Sequence, residues 1–382
     1  MRRTIFEAEH DQFRDTVREY IAREVAPHSA EWEAGGIVDR SAYVAAGKHG
    51  VIGFNVPEEF GGGGVDDFRF NVVVAEELGR YGAAHPGLTL QNDILAPYLI
   101  SLGTDEQKRR WLPGFASGEL IAAVAMSEPG AGSDLAGIRT SGVRDGDGDD
   151  WIVSGTKTFI SSGINADLVI VVTRTNPDAG HRGFTLLVVE RDMPGFKRGR
   201  KLAKVGQHSA DTAELFFDQV RVPAANVLGE VNRGFYHLMH NLPSERMSIA
   251  VNAVAGAREI FSQTLEYAKG RQAFGQPIGS FQYNRFRFAE METELDVAQA
   301  YIDRCLQGIV DGELTAVDAA KAKWWATELQ KRVVDTCLQL HGGYGYMTEY
   351  AVARAYTDTR IQTIYGGTTE IMKDIIGKSL GL

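Results

Sequence analysis

IAAVAMSEPGAGSD, residues 121–134, is where the chain changes character. Upstream, apolar residues recur at helical spacing: Phe13, Val17, Tyr20, Ile21 and Val25 predict a helix over 7–26 that Pro27 ends, and a compact apolar helix follows over 70–78. Thr104 followed by Gln107 is a capping-box pattern for a helix over 108–115, which Pro113 is expected to bend or break. Downstream, the segments 121–125, 151–154, 158–161, 168–173, 184–189 and 213–220 are short, and most are rich in β-branched or aromatic residues. Turn signals separate them, including the acidic run at 145–150. No helix of crossover length lies between them, so they predict an antiparallel β-barrel or sandwich. From Val231 the pattern is helical again. Met247, Val251, Val254, Phe261 and Leu265 mark one long helix, and Phe286, Met291, Leu295, Ala298 and Ile302 a second. A third is expected over 315–340 and a fourth from Tyr350, together a four-helix bundle. The predicted fold is an all-α domain over 1–121, a β domain over 122–228 and a helical bundle over 229–382.

Composition bounds the function. The 382 residues suffice for two or three domains, and a net charge of −10 excludes a broadly basic nucleic-acid surface. Cys305 and Cys337 have neither disulfide-scaffold nor zinc spacing, and the histidines His208, His237, His240 and His341 form no metal motif, so all read as structural. The N-terminal MRRT lacks a following apolar stretch, so neither a signal peptide nor a membrane span is expected.

Five stretches stand out chemically. AMSEPGAGSD (125–134) offers Ser127, Ser133, Gly132 and main-chain donors in a tight bend after a strand; it is either a ligand loop or an ordinary Gly/Pro turn, and it is not a dinucleotide fingerprint. In GTKTFISSG (155–163), Phe159 could stack on a planar group while Ser161 meets a heteroatom, or the segment is simply a half-buried strand. NLPSERM (241–247) carries Glu245 and Arg246 near Pro243, which suits the first turn of a helix. A carboxylate there has its pKa lowered by the helix dipole unless burial offsets it. Arg271 in RQAFG could clamp a diphosphate through paired hydrogen bonds. QLHGGYGY (339–346) and IYGGTTEI (364–371) are Gly-Gly turns that let backbone approach something large and flat.

In this order the motifs resemble those of the acyl-CoA dehydrogenases along essentially the whole chain. The resemblance implies a bound FAD, oxidation of a saturated acyl-CoA thioester to the trans-2-enoyl-CoA with β-hydride transfer to the flavin, electron-transfer flavoprotein as acceptor, and a homotetramer built as a dimer of dimers. It implies that Val124, Met126, Ser127, Gly132, Ser133, Phe159 and Ser161 hold the flavin, with Ser133 also near the substrate. Arg271, Phe274, Gln339, Gly342 and Gly343 would serve a neighbouring subunit's FAD, Thr368 and Glu370 its adenosine side, and Arg246, Tyr365 and Gly366 the substrate.

One departure matters. Most members of that family carry their basic glutamate directly after the tyrosine of a YEGT-type motif, where this chain has Tyr365-Gly366-Gly367-Thr368. Isovaleryl-CoA and long-chain acyl-CoA dehydrogenases take it instead from a helix beginning near LPxER, which Glu245 and Arg246 match. Glu245 is therefore the expected base and Glu370 the competing carboxylate. The expected substrate is a medium-to-long straight-chain acyl-CoA. The alternatives are a short branched chain of isovaleryl type and a non-catalytic flavin- or acyl-CoA-binding protein. A cytoplasmic, bacterial-type setting is expected, or the mitochondrial matrix for a processed chain.

Overall fold

A computed structural model describes residues 3–146 and 148–382; the first two residues and Asp147, within the predicted acidic turn, lie outside it. The N-terminal part is helical: α1 (Ala8–Tyr20), α2 (Ser29–Gly35), α3 (Ser41–Lys48), α4 (Phe68–Tyr81), α5 (Ala96–Leu102) and α6 (Asp105–Ala116). Two π-helical turns interrupt it, Ile21–Val25 after α1 and Leu90–Leu95 directly before α5. The Thr104–Gln107 capping box forms with both bonds made, but α6 runs unbroken through Pro113. Trp111, Leu112 and Phe115 lock that helix into the core, which outweighs the one backbone hydrogen bond the proline removes.

The middle part is a sheet of β1 (Ala122–Ala125), β2 (Ser141–Arg144), β3 (Trp151–Ser161), β4 (Leu168–Arg174), β5 (Phe184–Glu190), β6 (Phe196–Lys201), β7 (Thr212–Val222) and β8 (Val227–Leu228). Its order is β6-β7-β3-β2-β4-β5-β8, with β1 beside β4. Most pairs are antiparallel. However, β1 runs parallel to β4, contrary to the expected purely antiparallel arrangement. The β2–β3 pair inserted between β1 and β4 supplies the length a parallel connection needs, so no crossover helix is required. The two segments predicted at 151–154 and 158–161 are one strand, β3. The short strands β2, β6 and β8 escaped prediction because few of their side chains are apolar or because they are only two to six residues long.

Alternation along β4 and β5 builds two cores. Leu168, Ile170, Val172, Leu186 and Val188 pack with α5 and α6. Val169, Val171, Leu187 and Val189 share a second core with Trp151, Val153, Leu215 and Phe217, so the sheet folds over on itself.

Three long helices follow: α7 (Gly234–Gly270), α8 (Gln282–Val310) and α9 (Ala316–His341). A two-stranded turn, β9 (Gln272–Ala273) and β10 (Gln276–Pro277), lies between α7 and α8. The fourth bundle position is taken by two short helices, α10 (Ala351–Asp358) and α11 (Thr369–Ser379), both packed on α9. Met247, Val251, Val254 and Phe261 are buried as their spacing requires, whereas Phe286 lies exposed. Pro243 is inside α7 rather than in its first turn. Glu245 therefore lies about three turns into the helix, beyond the reach of the terminal dipole.

Candidate active site

The loop after β1 is latched to β3 from inside. The buried Glu128 carboxylate accepts the backbone N–H groups of Arg139 at 2.7 Å and Thr140 at 2.8 Å, and the Lys157 ammonium at 2.9 Å. Lys157, fully buried, also donates to Met126 O at 2.9 Å, and Thr158 N donates to Ser127 O at 2.9 Å. Val124, Met126 and Ser127 are thereby held half-buried, with Gly132 and Ser133 exposed at the outer bend. Burial pushes the Lys157 ammonium down to about 8 although Glu128 pulls the other way.

Beside this loop the β3–β7 pairing slips between Lys157 and Ile160. The bulge puts Phe159 at φ +60° and turns its ring outward, 70% exposed, with Ser161 exposed two residues on. A non-glycine aromatic in the left-handed region, facing out of a buried strand, contributes little to the core. It suits a flat partner stacked on it. The exposed ring, the adjacent hydroxyls and the rigid loop fit the isoalloxazine of FAD. Phe159→Ala should leave thermal stability near the parent's and weaken FAD retention about tenfold, the size of one lost stacking contact, read by flavin fluorescence on dilution.

A second group gathers around the lower half of α7. The Glu245 carboxyl is 4% exposed, and Tyr98 Oη donates to its Oε1 at 3.1 Å. Burial pushes Glu245 up to about 7, with the Tyr98 bond and the Arg246 charge pulling only partly back. Arg246, also buried, donates from Nε to Gly366 O at 3.3 Å, and Lys323 of α9 donates to Gly367 O at 2.6 Å. Two cations thus cradle the carbonyls of the Tyr365–Thr368 turn. Burial and the neighbouring Arg246 push Lys323 down to about 8. Gly366 has φ +65°, a left-handed conformation that strains any side chain, and a Cβ there would lie 2.4 Å from Ile249 Cδ1, so the side chain that a YEGT-type motif would carry would be strained and would have to displace the end of Ile249. Thr368 caps α11 by accepting Ile371 N at 3.3 Å. Glu370 is exposed, and its own backbone N–H and the Thr368 hydroxyl hold its carboxyl below the usual range, the reverse of what a proton-abstracting base near neutrality needs.

The first two groups border the same core. Tyr98 and Leu238 of α7 are buried in one hydrophobic core, and the side chain of Met126 packs against the same core. A third group does not join them. Arg271 ends α7 and, with Gln339, Gly342, Gly343 and Tyr344, lines an open pocket of about 490 Å³. Phe274, in the turn between β9 and β10, is 96% exposed at φ +53°. Arg271 follows Glu245 on the same helix by about 26 residues, or ~39 Å at ~1.5 Å per residue.

Sequence reasoning missed Tyr98, Asp93, Lys323, Glu128 and Lys157. The last two stood inside quoted motifs as charges among small and apolar neighbours. Lys323 lay on a helix face with Ala319, Ala322 and Ala326, which was a readable signal. Nothing in the sequence around Tyr98 distinguishes it from a core aromatic.

Family models for the acyl-CoA dehydrogenase N-terminal, middle and C-terminal domains match residues 7–119, 123–220 and 232–381. The chain belongs to the acyl-CoA dehydrogenase family. It is accordingly an FAD-dependent oxidoreductase of the flavoproteins that act in fatty acid oxidation. The mitochondrial long-chain specific acyl-CoA dehydrogenase of Sus scrofa is 47% identical, covering 99% of this chain and 88% of the relative. The mitochondrial isovaleryl-CoA dehydrogenase of Pongo abelii is 33% identical over 97% and 88%. Among solved structures, an acyl-CoA dehydrogenase from Geobacillus kaustophilus superposes with a TM-score of 0.97 at 48% identity over the whole of both chains. A glutaryl-CoA dehydrogenase from Mycobacterium smegmatis in complex with FADH2 does so at 0.89 and 26% identity, covering 98% and 95%. Among the described residues of this acyl-CoA dehydrogenase no helix is long and apolar enough to cross a membrane.

Proposed function

We propose that this acyl-CoA dehydrogenase oxidises medium-to-long straight-chain acyl-CoA to the trans-2-enoyl-CoA, with Glu245 as the base that removes the α-proton. The observation that carries this reading is a buried carboxylate on α7, pushed up to about 7, beside a turn that has a left-handed glycine where a YEGT-type glutamate would stand. When bound, FAD supplies the acceptor for the hydride that leaves Cβ. Val124, Met126, Ser127, Gly132, Ser133, Phe159 and Ser161 are its proposed contacts. Glu245, once deprotonated, takes the Cα proton. Arg246 and Lys323 hold the Tyr365–Thr368 turn by its carbonyls, and their charge favours the negative charge that develops on the thioester.

The long-chain assignment is supported by the 47% relative, against 33% for the isovaleryl enzyme, which makes short branched acyl-CoA the second reading. We assign Arg271, Phe274, Gln339, Gly342 and Gly343 to the FAD of another subunit, because the ~39 Å of α7 between Arg271 and Glu245 separates them within one chain. A homotetramer, electron-transfer flavoprotein as acceptor, Thr368 and Glu370 at the adenosine side, a cytoplasmic or matrix setting, and domain limits at 121 and 228 belong to the same reading. Turnover of saturated acyl-CoAs from butyryl to stearoyl, with isovaleryl-CoA alongside, tests it. kcat/KM should rise with chain length, by up to about fourfold per methylene, since each buried CH₂ contributes ~0.8 kcal/mol. A maximum at isovaleryl-CoA would move the substrate to the second reading.

A further inference from the structure

Glu245 is joined by a hydrogen bond to one short run of chain in the N-terminal helical part, and Ser248, one turn further along α7, is joined to the same run. That run is the π-helical turn Leu90–Leu95 continuing directly into α5. Tyr98 of α5 donates to Glu245 Oε1 at 3.1 Å. Ser248 Oγ donates to Asp93 Oδ2 on the π-turn, and Asn71 Nδ2 of α4 donates to Asp93 Oδ1 at 2.7 Å. Tyr98, Asp93 and Ser248 are all buried, and the Asn241 side chain, one turn before Glu245, also reaches the Tyr98 hydroxyl. A π-turn carries one residue more than the α-helix it interrupts, and such turns gather at functional sites. Here it lets Asp93 and Tyr98 address the same face of α7. Among the described residues Tyr98 is the hydrogen-bond partner of Glu245, and Oε2 has none.

We propose that Tyr98 is a positioning residue for Glu245: its hydroxyl anchors Oε1 so that Oε2 is presented to the substrate Cα, while the Asp93–Ser248 tie holds α5 and α7 in the register this requires. The inference rests on Glu245 being the base. A phenylalanine would fill the same space in the core, so the hydroxyl is the distinguishing feature. A phenol donating to a carboxylate favours its charged form, and the bond works against the burial that pushes Glu245 up.

The test is Tyr98→Phe in the holoenzyme, with kcat and KM for a long acyl-CoA followed against pH. The other charged or titratable groups around Glu245 are Arg246 on α7, Asp93 on the π-turn, which burial pushes up to about 7, and Lys323 on α9 beside Arg246, pushed down to about 8; the substitution leaves all three in place, and the infrared band separates Glu245 from the other two titrations. Losing a bond to an ionised acceptor should move the acid limb up by about one pH unit and, with Glu245 at about 7 in the parent, lower kcat at pH 7 about fivefold. Activity should recover at pH 9, with KM within about twofold throughout. The protonated-carboxyl infrared band of Glu245, assigned by its absence in Glu245→Gln, should titrate at correspondingly higher pH in the resting protein. A parental pH profile and an unmoved band in Tyr98→Phe overturn the proposal. Should that variant not fold, Ser248→Ala releases the tie and keeps the phenol. An upward shift of the same band then supports the proposal, and an unmoved band overturns it. If Glu245→Gln keeps the parental rate, the assignment of the base has failed, and the infrared titration alone still decides whether Tyr98 sets the ionisation of Glu245.

Discussion

Glu245→Gln should fold, bind FAD and reduce it with acyl-CoA about 10³-fold or more slowly than the parent. A glutamine fills the same space but accepts no proton, and positioned general bases contribute roughly 10²–10⁴-fold. Glu370→Gln should stay within about twofold, because that exposed carboxyl is held below the usual range and has no burial to raise it. Stability offers a second readout with a definite sign. Burial raises the native-state pKa of Glu245 from 4.5 to about 7, so the folded protein binds the proton more tightly than the unfolded chain. The stabilisation by the neutral form is complete below about pH 4.5 and is lost as pH rises through about 7. A glutamine does not ionise, so the Tm of Glu245→Gln relative to the parent should rise between pH 5 and pH 8. A constant difference across that range would mean that the carboxyl is not protonated where its burial places it.

Lys157→Met is expected to cost about 3 kcal/mol, because removing one member of a buried ion pair strands the other. Glu128 keeps the N–H donors of Arg139 and Thr140 but loses its cation, and Met126 O loses the ammonium that fixes the loop over β3. Urea denaturation should show the lowered midpoint, and FAD should dissociate more readily, since the same loop carries the proposed flavin contacts. The paired variant Glu128→Gln with Lys157→Met should be less destabilised than the sum of the two single changes. Strict additivity would show that the two charges do not stabilise one another.

How much of this was legible in the sequence differs by element. The order of helical, β and helical parts followed from periodicity, because β4 and β5 read as unbroken apolar runs and α7 and α9 as long helical stripes. Proline misled twice. Pro113 and Pro243 lie inside helices whose flanking turns are anchored in cores, so local propensity yielded to tertiary packing. The second misreading also misplaced the electrostatics of Glu245: its pKa is governed by burial, not by a helix end. Phe159 and Glu245 could be singled out by residue type and neighbourhood. Tyr98 could not, since its role depends on a π-turn that brings α5 against α7 from about 147 residues away, and no local pattern encodes that approach.

The central claim is that Glu245 takes a proton from Cα as acyl-CoA is oxidised. Anaerobic stopped-flow bleaching of the oxidised flavin band tests it most directly, using palmitoyl-CoA and its α-dideuterated form with the parent and Glu245→Gln. Rapid bleaching in the parent, slowed several-fold by α-deuteration and abolished in the glutamine variant, is the predicted result. Bleaching of Glu245→Gln at the parental rate, or a parental flavin spectrum that ignores every saturated acyl-CoA, would contradict it.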